Sequence, residues 1–442
     1  METVHSVVVV GAGAAGLYAA QMLKAQCPDV LVLEAQDRVG GRIRQVHGLA
    51  PWPIQAGAEF VHGANSVFVD SLRNSGFDFV EREWPDWWYF AKEKKLVHDE
   101  EVDDEVDKVH DMFDKDDMQR LAHPAEDIAA SEWMKQQGAS ERMLAVADAC
   151  YANDYGCSLS QLGVTEMVEE SRGWDCGDTY LLVNRCLSHA VADMTKGVKV
   201  ITQCPVECVE YGGPQQGVTL HCKKGLKLRA KRVVITVPLP ILKEGILKFS
   251  PPLPEAKRSA ISRVKMGNII KIILSFKEQF WPENMFDLIC TDSFVPEMWM
   301  LRYQEVMPGK GHPNIITGFI SGEKADIASA MPESTAIASF LGQLDSIFGT
   351  PEAPKPATHN LAAGVVYDWS KNDFVKGGYS YPSLGALRGD RESLAAPVAG
   401  TVFFAGEATS TALNPCVQGA MDTGRRAATQ VLASLQLLPS KL

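Results

Sequence analysis

The chain has 442 residues, 46% of them hydrophobic and 22% charged, with a formal net charge of −12. That length buries a large core and favours two domains, and the composition excludes a disordered or fibrous chain. The acidic balance argues against a nucleic-acid partner and favours cationic ligands.

Ser6–Val10 (SVVVV) is a short apolar run rich in β-branched residues and reads as a buried parallel strand. Gly11, Gly13 and Gly16 follow in G-x-G-x-x-G spacing, with Ala14 and Ala15 between the last two, and Leu17 to Lys24 opens a helix-forming run. Val30–Leu33 is a second apolar strand, ending in Glu34 and Ala35. This order predicts a βαβ dinucleotide-binding unit. Gly11 permits the tight turn, Gly13 lets the backbone reach a pyrophosphate, and Gly16 lets the helix close on the strand. The helix N-terminus offers free N–H groups and a partial positive charge to the phosphates. Glu34 lies about 20 positions past the first glycine, where a carboxylate binds a ribose hydroxyl. Ser6 to Leu23 carries no charge, but the glycine spacing explains that stretch better than a membrane span does.

The run Arg38-Val39-Gly40-Gly41-Arg42-Ile43 adds a second glycine pair and two guanidiniums suited to the same pyrophosphate. From VVVVGAGAAGL to EAQDRVGGRI the chain resembles the FAD site of the flavin amine oxidase family, which includes polyamine oxidases, monoamine oxidases and lysine-specific histone demethylases. The resemblance implies cofactor contacts along these segments, including Arg38, Gly41 and Arg42. It also implies a mixed α/β fold, with a Rossmann-like FAD-binding domain and an interleaved substrate-binding domain. We expect residues 1–80, 194–248 and 395–438 in the first and 81–193 with 249–394 in the second.

Further along, Gly57-Ala58-Glu59-Phe60-Val61-His62-Gly63 resembles the family segment that passes the flavin ring. Gly57, Ala58 and Glu59 then belong to the cofactor site, and His62 falls where polyamine oxidases face the substrate amine; a turn histidine is the plainer reading. Trp84, Trp87, Trp88 and Tyr89 either wall an apolar channel or simply pack, and packing is favoured. Asp99 to Asp117 is acidic, yet Val102, Val106, Val109 and Phe113 keep helical spacing and predict a solvated helix with one buried stripe. Asp154 or Glu166 is a candidate partner for a distal ammonium, with surface acids as the alternative. Tyr180 to Met194 reads as an amphipathic helix. Short strands are expected at Val198–Ile201, Val206–Tyr211, Val218–Cys222 and Arg232–Val237, with Val206 where the family touches adenine.

Ile269 to Phe276 (IIKIILSF) is an apolar strand broken by one charge, Lys271. A lysine there costs free energy unless it is paired or functional, or snorkels from an edge strand. The family carries a matching lysine that is bonded through a water to flavin N5. Phe280-Trp281-Pro282 also resembles the family. In Gly377-Gly378-Tyr379-Ser380-Tyr381 the residue matching the covalent cysteine of monoamine oxidases is Tyr379, which implies noncovalent FAD. Tyr379 and Tyr381 are candidate substrate contacts, or else a half-buried strand pair. Val402 to Thr409 carries the family's A-G-E block, placing Gly406 and Glu407 on the FAD. Cys416 and Val417 then start a helix facing the flavin O2 edge. Cys416 stands where tyrosine, threonine or serine is usual, and Gln418 where histidine is common, which argues against a two-ring amine cage.

The ten cysteines are scattered without a C-x-x-C pair, as in a reducing compartment, and no metal-ligand spacing is present. The chain ends Ser440-Lys441-Leu442, a peroxisomal address read by an import receptor, which suits an oxidase that makes peroxide; cytoplasm is the alternative. The expected activity is oxidation of a small cationic amine, most plausibly a polyamine, by hydride transfer to FAD and reduction of O2 to hydrogen peroxide. An L-amino acid oxidase would need a pocket arginine, with Arg172 or Arg302 as candidates. A chromatin demethylase would need histone-binding modules, for which the short gaps leave no room.

Overall fold

The computed structural model describes residues 4–27, 29–82, 84–124, 126–300, 314–412 and 415–436. Arg302, Asn414 and the terminal Ser440-Lys441-Leu442 lie outside the described residues.

The opening strand forms over Val4–Val10 and is buried on both faces. Val7 and Val9 enter one apolar layer, and Val8 and Val10 the other. That burial is possible because parallel neighbours flank it, Val30–Leu33 on one side and Lys227–Ile235 on the other. Lys199–Ile201 extends the sheet beyond Val30–Leu33, and Val402–Phe404 pairs in parallel with the second half of Lys227–Ile235. Val218–Cys222, Val206–Tyr211 and Lys248–Ser250 complete eight strands. The helices Ala14–Lys24 and Val417–Ser434 cover one face together. They touch backbone to backbone, since a Cβ on Gly424 would sit 2.4 Å from the Ala15 carbonyl oxygen.

A second sheet has seven strands, in the order Leu361–Asp368, Ile269–Phe276, Asn314–Ser321, Glu297–Met300, Asp287–Thr291, Trp87–Phe90 and Lys95–His98. All eight residues of Ile269–Phe276 are buried. Ile270, Ile272 and Leu274 pack toward the helix Glu333–Phe348 through Ala336, Phe340 and Leu344. Lys271 points to the other face. Its strand is interior, so the edge-strand reading of this lysine fails. In register, Lys271 lies beside Tyr367 and Phe319, and Phe319 lies beside Glu297, which makes one transverse row across four strands.

Two expected helices differ. Tyr180–Val183 (YLLV) is a strand between Val61–His62 and Phe79–Arg82, and only Ser188–Met194 is helical. An aromatic followed by three apolar residues has no helical stripe, and two strand edges wait to pair with it. The acidic stretch breaks into a short turn at Asp99–Glu101 and helices Asp104–Phe113 and Lys115–Arg120. Asp103 and Asp114 each restart the chain as N-caps, accepting from Glu105 N and from Asp116 and Asp117 N. Three of the four residues expected in the stripe, Val106, Val109 and Phe113, are buried on the helix, while Val102 precedes it and is half-buried.

The glycine turn leaves little room. A Cβ on Gly16 would lie 2.0 Å from the Gly11 carbonyl oxygen, whereas one on Gly13 meets nothing within 4 Å. Gly16→Ala should therefore destabilise the FAD-free chain by about 2 kcal/mol or more. Gly13→Ala should leave it within about 0.5 kcal/mol. Equal melting points by scanning calorimetry would rule out this close helix–strand contact.

Candidate active site

One cavity of about 510 Å³ is lined from both large sheets. Its first end is built by the glycine turn. Gly11 has φ +109°, and the Thr236 hydroxyl donates to Val10 O at 2.9 Å, fixing the turn. Gly13, Ala14 and Ala15 line the cavity at the start of the helix. Glu34 and Ala35 line it at the end of the second strand, opposite Val206. The Glu34 carboxylate accepts from Ala12 N at 2.7 Å and Gln36 N at 2.8 Å, and burial raises it above the usual carboxylate range. The open space at Gly13, the free helix N-terminus and the ribose-height acid fit a dinucleotide.

Arg38 and Arg42 part company. Arg38 donates to the carbonyls of Gly41 (2.5 Å), Val39 (3.1 Å) and Ile43 (3.2 Å), so it folds its own loop and does not line the cavity. Arg42 does line it, donating to Gly378 O at 2.7 Å and pairing with Glu407 at 2.9 Å. Glu407 also accepts from Ser380 Oγ at 2.6 Å, while Gly41 and Gly406 border the same space.

At the middle of the cavity Gly57, Ala58 and Glu59 run past Lys271. A Cβ on Gly57 would stand 1.8 Å from Arg42 O, so only glycine lets these two segments meet. Lys271 Nζ donates to Gly57 O at 2.8 Å and pairs with Glu59 at 2.7 Å, both side chains being almost fully buried. The same ammonium sits 4.8 Å from the centroid of the Trp299 ring. Tyr379, Cys416 and Val417 close this region, with Cys416 as N-cap of the final helix. The Tyr379 hydroxyl donates to Asp154 O at 2.6 Å.

Beyond the ring region the lining turns acidic and aromatic. His62 faces the cavity with its ring edge on Tyr180, 4.7 Å between centroids. Burial first, and the Lys115 charge second, push it down to about 4, so the imidazole is neutral. Trp84 stacks on Tyr180 at 5.9 Å and walls the cavity, while Trp88 and Tyr89 are core. Burial pushes Asp154 up to about 6 and Glu170 up to about 8. Among the described residues no group donates to either carboxylate. Glu297 takes Trp84 Nε1 at 3.1 Å and Asn153 Nδ2 at 3.2 Å, and burial together with Asp154 pushes it up to about 8.

Most residues expected at the site from sequence therefore line one cavity. Gly16 lies behind it and packs helix on strand, as its spacing implies. Tyr381 is a correction: it packs in the apolar cluster with Trp88 and Trp133 and does not line the cavity, whereas Tyr379, just before the strand Ser380–Tyr381, does. Glu166 is another, held by Arg391 at 3.0 Å and Ser383 N at 2.7 Å outside the cavity. Arg172 binds Gln119 O and Leu121 O, away from the lining. Sequence reading missed Glu170, Glu297 and Trp299. Glu297 had a legible signal, since one acid in the apolar strand Glu297–Met300 repeats the anomaly of Lys271.

Residues 14–432 match the sequence pattern of the flavin containing amine oxidoreductases. Human lysine-specific histone demethylase 2 is 28% identical over 97% of this chain, which spans 53% of that protein, about half its length. Human peroxisomal N(1)-acetyl-spermine/spermidine oxidase is 26% identical over 97% of this chain and 94% of its own. Among solved structures, putrescine oxidase bound to putrescine superposes with a TM-score of 0.83 over 98% of this chain and 100% of that one, at 20% identity, a likeness of fold. With a cavity built for a dinucleotide and a match along nearly the whole sequence, the chain belongs to the flavin-containing amine oxidoreductase family, and its cofactor is FAD.

Proposed function

We propose that this chain oxidises small amines bearing more than one positive charge, polyamines above all, with FAD held noncovalently. One observation carries the reading: the cavity past Lys271 holds two enclosed carboxylates, Asp154 and Glu170, that no described group satisfies. Buried acids demand a counter-charge, and an alkyl ammonium supplies it. The polyamine oxidase among the relatives supports the same substrate class, and its peroxisomal name supports the same compartment.

FAD, when bound, would supply the acceptor for a hydride from the carbon beside the amine nitrogen, with return of the electron pair and two protons to O2 as hydrogen peroxide, leaving an imine for water to hydrolyse. The chain's own residues do the rest. Gly13 and the helix N-terminus receive the pyrophosphate, Glu34 the ribose, and Arg42 with Glu407 borders the ribityl region. Lys271, fixed by Glu59 and Gly57 O, would set a positive charge beside the flavin ring. Neutral His62 orients the reacting amine without competing with it as a cation. Asp154, Glu170 and Glu297 bind the distal ammoniums, and Trp84, Tyr180 and Trp299 cover the methylenes.

A second reading, demethylation of a lysine in a histone tail, is favoured by the equally extensive demethylase match. Peroxide release on spermine, spermidine, their acetyl forms, a monoamine and a methyl-lysine peptide separates the two. A carboxylate-bearing substrate fits poorly, because Arg42 is the one arginine among the described lining residues and Glu407 holds it.

Lys271→Met should slow flavin reoxidation on the order of a hundredfold. Leaving Glu59 buried and unpaired should also cost about 3–5 kcal/mol of stability. Lys271→Met combined with Glu59→Gln should recover the melting point but not the rate, by calorimetry and stopped-flow spectroscopy. Recovery of both would make the lysine structural only. The carboxylates set a pH signature. Affinity for a diamine should rise as pH climbs through about 6 and about 8, where Asp154 and Glu170 ionise. Asp154→Asn should remove the lower step and raise KM about tenfold or more. A KM profile flat from pH 5 to 9 would contradict this assignment.

A further inference from the structure

The solvent end of the same cavity carries a contact that neither fold nor cofactor requires. Lys115 Nζ stands 4.2 Å from the centroid of the Trp174 ring and 2.6 Å from Asp178 Oδ1. All three residues line the cavity. Lys115 begins the helix Lys115–Arg120, capped by Asp114, whereas Trp174 and Asp178 come from the segment between Val164–Gly173 and Tyr180–Val183. The contact therefore joins two separate segments across the rim. Trp174 is held in place by its own Nε1, which donates to Gly177 O at 3.0 Å.

We propose that Trp174 and Asp178 form an outer cation subsite for polycationic amines, and that Lys115 is its built-in, displaceable occupant. A lysine side chain is four methylenes ending in an ammonium, chemically the end of an aliphatic di- or polyamine. A ring face and a carboxylate that hold one will hold the other. The resident is weakly bound: the Lys115 side chain is 41% exposed and that of Asp178 80%, and so exposed a pair gains little against water. A substrate ammonium anchored inside by Asp154 or Glu170 brings its next charge to the rim at high effective concentration and displaces the lysine. The Lys115 charge also reaches inward, where it adds to the lowering of His62 and partly offsets the rise of Asp154. Each swing of the side chain out of the rim thus changes the field on the inner groups. The inference rests on the amine-oxidase reading above and adds selection by charge number.

The test is Lys115→Met, which keeps the chain on the ring and removes the charge. Binding of spermine, a diamine and a monoamine is measured by titration calorimetry on the FAD-loaded enzyme, together with KM and kcat. Spermine should bind about fivefold tighter to the variant, with the monoamine nearly unchanged and kcat within twofold. Asp178→Asn should do little alone but abolish the gain in the Lys115→Met background. An unchanged or weaker spermine affinity, an equal gain for the monoamine, or a gain that survives Asp178→Asn overturns the subsite. If no amine bleaches the flavin, the amine-oxidase reading fails, while the calorimetric comparison still decides the rim.

Discussion

An ammonium buried in an apolar strand constrains everything around it. Ile269–Phe276 has no exposed residue, so Lys271 cannot snorkel to water and must find acceptors inside. It finds them on one short segment: Gln55 O at 3.4 Å, Gly57 O at 2.8 Å and the Glu59 carboxylate at 2.7 Å. That segment is pinned from the other side, where Gly57 lies against Arg42 O too closely for any side chain. The second sheet thereby dictates where the first lobe's loop passes. Removing one partner of such a pair leaves a bare buried charge, so the pair fixes position even where its net stabilisation is small.

A second buried network closes the other flank. Arg42 pairs with Glu407, Glu407 accepts from Ser380, and Ser380 Oγ accepts from Arg391, which pairs with Glu166. These charges are satisfied within the protein, and they hold the loop carrying Tyr379 against the block after Val402–Phe404. The acids past Lys271 differ in kind. Among the described residues, Asp154 and Glu170 have no such partners, and the hydrogen-bond donors to Glu297 are neutral. Among the described residues, Arg42, Lys271 and Arg391 thus pair with acids of the fold, and the part of the cavity lined by Asp154 and Glu170 stays acidic.

This division explains what could be read from the sequence. Backbone demands leave a strong trace: Gly11, Gly13 and Gly16 are spaced by the turn they make, and Glu34 by the length of the unit. Lys271 was legible because a charge in an apolar run is an anomaly. Whether an ionised side chain faces a cavity or a partner is decided by residues far along the chain. Arg38 and Arg42, four apart, look equivalent until one folds onto its own loop and the other meets Glu407. Glu166 and Glu170 sit one turn apart on the helix Val164–Gly173, and Arg391 takes the first. Tyr381 was lost because it packs beside Trp88 and Trp133, although regular strand pleating would put it on the same face as Tyr379, two residues away. Tyr180–Val183 became a strand because Val61–His62 and Phe79–Arg82 offered edges that no local pattern announces.

The unpaired acids also couple ligand to stability. A carboxyl whose folded-state pKa lies near 6 or 8 keeps its proton in the fold and loses it when unfolded at the ordinary, lower value. The stability this contributes is fully present below the ordinary carboxylate range and is lost as pH rises through about 6 and then about 8. Above that the fold carries several enclosed negative charges with no ion-pair partner among the described residues. A bound polycation removes that penalty, since it binds the folded chain alone and favours the ionised acids. On the proposed reading, the same electrostatic tension that makes these acids costly at alkaline pH would favour a ligand with more than one ammonium.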